Sequence, residues 1–189
     1  MIKAVIFDFF DVIRTDTYKI WLKAHGFARV GIFHEVSNRL DAGKITVDEF
    51  LETLGKQSGK PLTLEQFDAN AKVDYSVLSI IKSLRKNYRI AILSNTSSAL
   101  FREILRKNDL EKYFDEIVVS SEIGHIKPYP EIFEHTLEKL GINASETIFI
   151  DDNEHNIKGA ERVGIKGIHF VDAQQLKKEL KNLGIQVAG

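Results

Sequence analysis

The sequence contains no cysteine, which excludes disulfide bonds, thiolate metal sites and a cysteine nucleophile. Its formal net charge is only −1, so no strong positive field favours nucleic acid or an anionic membrane surface as a partner. No segment approaches the length of a membrane span, and the apolar start is too short for a signal peptide core. These absences predict a cytoplasmic protein that binds neither nucleic acid nor membranes.

Five short apolar runs are present, and each is unbroken rather than alternating. Unbroken runs of this length are typical of strands in a parallel sheet that is covered on both faces. Amphipathic stretches of helical length separate the later runs. The pattern predicts an α/β fold with a doubly wound parallel sheet, whose strands are residues 3–7, 89–93, 116–119, 147–150 and 167–170.

The segment between the first two runs carries helical signals and no convincing strand pattern. Thr46 with Glu49 and Thr63 with Gln66 have the spacing of capping boxes, which mark helix starts. The sequence therefore predicts an α/β core formed by residues 1–13 and 77–189, with a small helical cap, residues 14–76, inserted after the first strand. Such an insertion is expected to lie over the carboxyl edge of the sheet, where folds of this class bind ligands.

Polar side chains follow four of the predicted strands at their carboxyl ends. Each has an ordinary explanation as a turn or helix cap, but their conjunction favours a common site. Parallel strands end at one edge of the sheet, so residues far apart in sequence are expected to converge there. The residues concerned are Asp8, Ser94, Asn95, Lys127, Asp151 and Asp152.

Three of these residues, Asp8, Asp151 and Asp152, would bring three carboxylates together at the mouth of an apolar sheet. Their mutual repulsion would raise their pKa values and oppose folding unless positive charge lies among them. Mg²⁺ prefers oxygen ligands and often bridges carboxylates and a substrate phosphate. With the Lys127 ammonium and a hydroxyl donor nearby, the set suits phosphoryl transfer.

The ordered motifs resemble those of the haloacid dehalogenase superfamily, subfamily IA. They are "VIFDFFDVI", "IAILSNTS", "GHIKPYPEIF" and "TIFIDDNEHNIKGAERVG". The last two are similar to motifs of the branch that contains sugar-1-phosphate phosphatases and the phosphatase domain of soluble epoxide hydrolases. The resemblance covers the whole chain and implies a Rossmann-like core with an inserted helical cap.

The resemblance also implies a catalytic role for four residues. Asp8 would be the nucleophile and would form an aspartyl-phosphate intermediate. Ser94 would donate a hydrogen bond to a phosphoryl oxygen, with Asn95 assisting. Lys127 would offset the negative charge of the nucleophile and the phosphate.

A metal site is implied by the same resemblance. Asp151 and Asp152 would hold Mg²⁺ directly or through water. Asp8 and the main-chain carbonyl of Phe10 would complete the protein ligands of the ion.

The first motif departs from the pattern of many phosphatases in the superfamily. These enzymes carry a general acid two residues after the nucleophile, where this chain has Phe10. Asp11 lies one residue further on and is a candidate substitute for the missing acid. The alternative is that Asp11 is a carboxylate of a turn or a helix cap.

The function predicted from the sequence is a Mg²⁺-dependent phosphatase acting on a small phosphorylated metabolite, such as a sugar phosphate with a good leaving group. Two alternatives stay open: a 2-haloacid dehalogenase-type hydrolase and a non-catalytic binding protein of the same fold. Arg14 is a candidate for binding the anionic group of the substrate. Its alternative role is a surface arginine at the hinge of the insertion.

Overall fold

The computed structural model describes residues 1–187. Five parallel strands form one sheet in the order β3-β2-β1-β4-β5. This architecture confirms the predicted doubly wound α/β class. The strands are β1 Ala4–Phe7, β2 Arg89–Ser94, β3 Glu116–Val119, β4 Thr147–Asp151 and β5 Lys166–His169, each within a residue or two of its predicted run.

The helices of the described residues fall into two groups. Between β1 and β2 lie α1 Thr17–Ala24, α2 Ile32–Asp41, α3 Val47–Ser58, α4 Leu64–Asp68 and α5 Tyr75–Leu84. After β2 come α6 Ser98–Lys107, α7 Ser120–Ile123, α8 Pro130–Leu140, α9 Glu154–Arg162 and α10 Ala173–Asn182, with short 3₁₀ helices at Glu111–Tyr113 and Ala144–Glu146. No helix within residues 1–187 is long and apolar enough to cross a membrane.

The unbroken apolar strands arise because both faces of the sheet are buried. Successive side chains of a strand point to opposite faces, so Val5 and Phe7 of β1 enter one hydrophobic cluster while Ala4 and Ile6 enter another. All four are fully buried. Burying one large apolar side chain contributes roughly 1.5–3 kcal/mol, so the central strand and its carboxyl end are held firmly.

A third hydrophobic cluster lies within the segment between β1 and α5. It includes Tyr18, Trp21, Leu40, Leu54 and Phe67, and it is separate from the two clusters that cover the sheet. The helices that form it start as predicted: Thr46 and Thr63 each accept a hydrogen bond from the backbone N–H three residues on, and Glu49 and Gln66 complete the two capping boxes.

Gly159 of α9 lies where the helix comes closest to the loop that contains Lys127. A Cβ atom at Gly159 would lie 2.5 Å from the carbonyl oxygen of Pro128 and 3.0 Å from the ring of Phe133. The backbone carbonyl is not free to move away as a flexible side chain is. The absence of a side chain at Gly159 therefore sets the position of the loop.

Replacing Gly159 by alanine tests this close packing. In a helix, Gly→Ala ordinarily stabilises by about 0.5–1 kcal/mol. Here we expect destabilisation of about 1–3 kcal/mol, because the methyl group would overpack the contact with Pro128, measured by urea unfolding. Lys158→Ala, at an exposed position of the same helix, is the control. A Gly159→Ala variant as stable as the wild type would contradict the expectation.

Candidate active site

The predicted residues of three strands meet at the carboxyl edge of the sheet. β1 lies between β2 and β4, with Phe7 level with Ile92 and Ile150. Asp8 therefore emerges beside Ser94, the last residue of β2, and Asp151, the last residue of β4. The sheet order explains why positions so far apart in sequence converge.

Lys127 lies between two of these carboxylates. Its Nζ is 2.7 Å from Asp8 Oδ1 and 2.7 Å from Asp151 Oδ2, and all three side chains are buried. Burial by itself would lower the pKa of Lys127, but the charges of Asp151 and Asp8 outweigh this effect and raise the pKa. The lysine is therefore a fixed positive charge.

Asp8 is surrounded by more negative than positive charge. Burial is the main cause that raises its pKa to about 8; Lys127 lowers it, whereas the charges of Asp151 and Asp152 raise it further. The protein alone thus holds this carboxyl in an environment that disfavours its ionised form. Additional positive charge near Asp8 would restore the carboxylate.

The carboxylates fit a divalent cation. Oxygen atoms of Asp8, Asp151 and Asp152 all lie within 4.8 Å of one another, and oxygen ligands of this kind are those that Mg²⁺ prefers. The raised pKa of Asp8 also favours a cation at this position, because added positive charge would stabilise its carboxylate. Phe10, whose carbonyl is the fourth predicted ligand, lines a cavity that opens beside Asp8.

Asp151 is positioned by the start of α9. Its Oδ1 accepts a hydrogen bond from the backbone N–H of Asn153 at 2.8 Å, and the side-chain amide of Asn156 donates to both carboxylate oxygens at 3.0 and 3.2 Å. Asn156 is itself buried. These contacts fix the orientation of a carboxylate that also contacts Lys127.

Ser94 and Asn95 have different surroundings. Ser94 is fully buried, and its Oγ has no hydrogen-bond partner among residues 1–187. Leaving a buried hydroxyl unsatisfied costs about 1–3 kcal/mol, so this donor is suited to a ligand atom. The side chain of Asn95 donates to the carbonyl of Lys127 at 3.0 Å and accepts from its N–H at 2.8 Å. Asn95 therefore holds the backbone of the lysine.

Lys19 connects the two aspartates that flank the site, and the sequence did not single it out. Its Nζ lies 2.7 Å from Asp11 Oδ2 and 2.7 Å from Asp152 Oδ2. The signal that could have found it is Asp16, which caps α1 and accepts a hydrogen bond from the N–H of Lys19. A cap at this position places the following turn of helix beside the site.

Asp11 is engaged on both of its oxygens. Oδ2 contacts Lys19, and Oδ1 accepts a hydrogen bond from the backbone N–H of Asp16 at 2.7 Å. Its backbone is in the left-handed region, with φ of 58°, a conformation that Asp tolerates better than most residues. Asp11 is not among the residues that line the cavity beside Asp8.

Arg14 is not among the residues that line that cavity. It forms an ion pair with Asp68 of α4 at 2.6 Å, and its side chain is only 4% exposed. The alternative of a surface arginine at the hinge is therefore wrong, because burial against α4 covers the side chain. Its predicted role in binding the anionic group of a substrate stays a prediction.

A cavity of about 400 Å³ opens beside Asp8. Asp8 and Asp152, which follow strand ends, and Lys127, in the loop after α7, form its floor. The helical segment between β1 and α5 supplies polar side chains on the other side, and the sequence did not reveal them, because their orientation depends on how the helices pack. These residues are Asp16, Lys19, Arg29, His34, Asn38 and Asp41.

A second, larger groove does not belong to this site. It has a volume of about 700 Å³ and lies against α3 and the loop after it, lined by residues such as Leu51, Gly55 and Pro61. None of the residues that converge at the carboxyl edge of the sheet lines it. The chemistry is therefore assigned to the smaller cavity.

The chain is similar to proteins of one family. The model of haloacid dehalogenase-like hydrolases matches residues 5–170. A D-ribitol-5-phosphate phosphatase of Bacteroides thetaiotaomicron is 31% identical over 200 aligned positions, covering 95% of this chain and 97% of that protein. A sesquiterpene phosphatase of Aspergillus oryzae is 30% identical, covering 96% of each chain.

A solved structure is similar over nearly the same length. It is a haloacid dehalogenase family enzyme from Bacteroides thetaiotaomicron in complex with magnesium and inorganic phosphate. Its TM-score with this chain is 0.73, with 29% sequence identity over 93% of this chain and 99% of that one. That protein binds magnesium and phosphate on the same fold.

The cavity residue Asp41 gives the site a testable dependence on pH. Burial is the main cause that raises its pKa from 3.8 to about 7; Arg29 lowers it and Asp16 raises it. Folded Asp41 keeps a proton that the unfolded chain releases at lower pH. The contribution of Asp41 to stability therefore falls as the pH rises from 3.8 to about 7, and it changes no further above that window.

We expect Asp41→Asn to make this decline shallower, since the amide carries no charge. Melting temperatures recorded across the window for the wild type and the variant give the two slopes. Asp48→Asn, an exposed position in α3, is the control and should keep the slope of the wild type. Identical slopes for the wild type and Asp41→Asn would contradict the assigned environment.

Proposed function

The chain belongs to the haloacid dehalogenase-like hydrolases, and from that premise we propose that it is a Mg²⁺-dependent phosphatase acting on a small phosphorylated metabolite through an aspartyl-phosphate intermediate. The observation that carries the proposal is the convergence of Asp8, Lys127, Asp151 and Asp152 at the carboxyl edge of the sheet, where a cavity opens. Phosphatases among its relatives support the same reaction class.

Asp8 is the nucleophile of the proposed reaction. One of its carboxylate oxygens forms a bond to phosphorus, while the bond from phosphorus to the leaving-group oxygen breaks. Water then hydrolyses the acyl phosphate and releases inorganic phosphate, which regenerates the carboxylate. Asp8 must be ionised for the first step, and Lys127 at 2.7 Å favours that form.

Further residues bind the phosphoryl group and the metal in this proposal. The unpartnered hydroxyl of Ser94 donates to a phosphoryl oxygen, and Asn95 keeps Lys127 in place. Mg²⁺, held by Asp8, Asp151, Asp152 and the carbonyl of Phe10, would neutralise negative charge on the phosphoryl group.

We also infer that residues 14–76 act as a cap over a core formed by residues 1–13 and 77–189, of which the last two lie outside the described residues. Their separate hydrophobic cluster and the polar side chains that they contribute to the cavity support this division. A cap that encloses the site favours small substrates and limits the access of water.

The other candidate functions find less support. A haloacid dehalogenase would bind an anionic substrate beside Asp8. The charges of Asp151 and Asp152 already raise the pKa of Asp8, so a further anion would be unfavourable there. A non-catalytic binding protein would have no chemical need for a buried nucleophile paired with Lys127. Activity assays of the wild type and of Asp8→Asn test both alternatives.

The Asp8→Asn substitution tests the nucleophile. We expect release of phosphate from p-nitrophenyl phosphate to fall by at least roughly 10³-fold, because the amide oxygen cannot form the acyl phosphate. EDTA should abolish turnover by the wild type, and excess Mg²⁺ should restore it. Circular dichroism would verify that the variant is folded.

The opposite results would each have a clear meaning. Undiminished turnover by folded Asp8→Asn would exclude Asp8 as the nucleophile. A wild type that releases halide from a 2-haloacid and no phosphate would establish the dehalogenase. Binding of Mg²⁺ with neither activity would favour the binding protein.

The proposal also predicts which leaving groups react fastest. Phe10 cannot donate a proton, and the carboxylate of Asp11 is occupied by Lys19 and the backbone of Asp16. Since a general acid typically contributes 10²–10⁴-fold, substrates that need little protonation should react faster. We expect kcat/KM for sugar 1-phosphates to exceed that for simple alkyl phosphates by roughly 10²-fold.

Asp11→Asn separates the two roles of Asp11. If the residue serves only the turn and the ion pair with Lys19, the variant should slow both classes of substrate alike and leave their ratio unchanged. A selective loss of activity on alkyl phosphates would identify Asp11 as the general acid. Equal rates of the wild type on both classes would overturn the expected preference.

A further inference from the structure

A single ion pair joins the helical segment to the carboxylates at the edge of the sheet. The Nζ atom of Lys19, in the first turn of α1, lies 2.7 Å from Oδ2 of Asp152 and 2.7 Å from Oδ2 of Asp11. Among the ion pairs of residues 1–187, only the one with Asp152 connects residues 14–76 with the part of the chain that follows α5. The same carboxylate is a proposed ligand of Mg²⁺.

The two consecutive aspartates at the end of β4 differ in how the protein holds them. Asp151 is fully buried and accepts hydrogen bonds from the side chains of Lys127 and Asn156. The side chain of Asp152 is 24% exposed, and within residues 1–187 only Lys19 donates a hydrogen bond to its carboxylate. The partner of Asp152 can therefore be exchanged without disturbing the buried contacts of Asp151.

Asp11 gives the ammonium group of Lys19 a second carboxylate to bind. The Asp11 side chain also accepts a hydrogen bond from the backbone N–H of Asp16 at 2.7 Å, so its position does not depend on Lys19 alone. The side chain of Lys19 is 50% exposed, and ion pairs that water can reach contribute little net stability. Burial alone would lower the pKa of Lys19, but its hydrogen bonds to Asp11 and Asp152 raise it, so the group carries a positive charge.

Lys19 and Mg²⁺ bring positive charge to the same carboxylate. Oxygen atoms of Asp8, Asp151 and Asp152 lie within 4.8 Å of one another, so an ion held among them would be close to the ammonium group that contacts Asp152. Two cations this close repel each other, and the repulsion is stronger in a partly buried site than in bulk water. The ammonium group therefore opposes binding of the ion unless it moves away.

We propose that Lys19 competes with Mg²⁺ for Asp152, so that binding of the ion shifts the ammonium group onto Asp11 and weakens the attachment of α1 to the carboxyl edge of the sheet. Lys19 thereby sets the affinity of the metal site without being a ligand, and Asp11 accepts the displaced charge. Metal binding and the ion pair with Asp152 oppose each other by the same factor, because they share one equilibrium. The inference rests on the metal site of the phosphatase function proposed above.

Isothermal titration calorimetry with Mg²⁺ alone measures the competition directly. Lys19→Met removes the charge and keeps the length of the side chain. We expect this variant to bind Mg²⁺ roughly tenfold more tightly than the wild type, the order expected when one unit charge beside a divalent ion is removed. Lys19→Arg keeps the charge and should bind Mg²⁺ as the wild type does. Lys23→Met removes the same charge at an exposed position of α1, and this matched control should also keep the wild-type affinity.

A double-mutant cycle with Asp11 tests whether that residue accepts the displaced charge. Asp11→Asn alone should weaken Mg²⁺ binding by up to roughly fivefold, the range of one exposed ion pair, because Lys19 then has no second carboxylate and stays on Asp152. In the Lys19→Met background the same substitution should have a clearly smaller effect. An equal effect in both backgrounds would show that Asp11 acts on the ion directly and would overturn the proposed transfer.

Chemical acetylation reports on Lys19 in the wild type. Acetic anhydride modifies accessible lysine side chains, and mass spectrometry gives the rate at each position. Lys19 should react faster in saturating Mg²⁺, because its amino group loses one of two carboxylate partners, whereas the rate at Lys23 should not change. An unchanged rate at Lys19 would contradict its displacement by the ion.

The outcomes separate this inference from the proposed function. A folded Lys19→Met variant that binds Mg²⁺ no more tightly than the wild type would overturn the inference and leave the phosphatase intact. Equal gains in Lys19→Met and Lys23→Met would show an effect of net charge alone and would also overturn it. A wild type that binds no Mg²⁺ would remove the metal site of the proposed function, and the inference with it. Circular dichroism verifies that each variant is folded.

Discussion

The ammonium group of Lys127 is the interaction on which the rest of the site depends. Asp8 and Asp151 emerge from neighbouring strands into a buried space, and without a counter-charge their repulsion would favour protonation or separation of the strand ends. Lys127 contacts both at 2.7 Å. Its own position depends on Asn95, which binds its backbone, and on Gly159, which leaves room for the adjoining loop. The geometry at the edge of the sheet is thus maintained from outside the sheet as well as within it.

The spacing of the first motif has a physical explanation in the turn after β1. The left-handed backbone of Asp11 directs its carboxylate toward Asp16 and Lys19, where it supports the start of α1. Phe10 instead packs edge-on against Phe9, with ring centroids 5.2 Å apart, and lines the cavity. An apolar ring therefore occupies the position two residues after Asp8. The second aspartate of the motif serves the connection to the helical segment.

The parts of the molecule that could be predicted from sequence are those governed by local pattern and by strand order. Unbroken apolar runs identified the strands because both faces of the sheet are buried, and a parallel sheet brings residues such as Asp8 and Asp151 to one edge whatever their separation in sequence. The capping boxes at Thr46 and Thr63 were equally local. Lys19 and the cavity-lining residues of α2 could not be predicted, because a surface helix and a cavity-lining helix have the same amphipathic pattern until their packing is known. The burial of Arg14 could not be predicted for the same reason, since its ion pair with Asp68 depends on the position of α4.

The paired contacts of Lys19 also bear on how the protein responds to its solvent. This side chain is half exposed and its partners Asp11 and Asp152 are 28% and 24% exposed, whereas Lys127 is almost fully buried. Dissolved ions screen exposed charges far more than buried ones, with a screening length of about 8 Å at physiological ionic strength. We therefore expect rising salt to weaken the ion pairs between α1 and the carboxyl edge of the sheet more than the buried pairs of Lys127. Ionic strength should therefore weaken the contact between the helical segment and the sheet at salt concentrations that leave the buried ion pairs of the core intact.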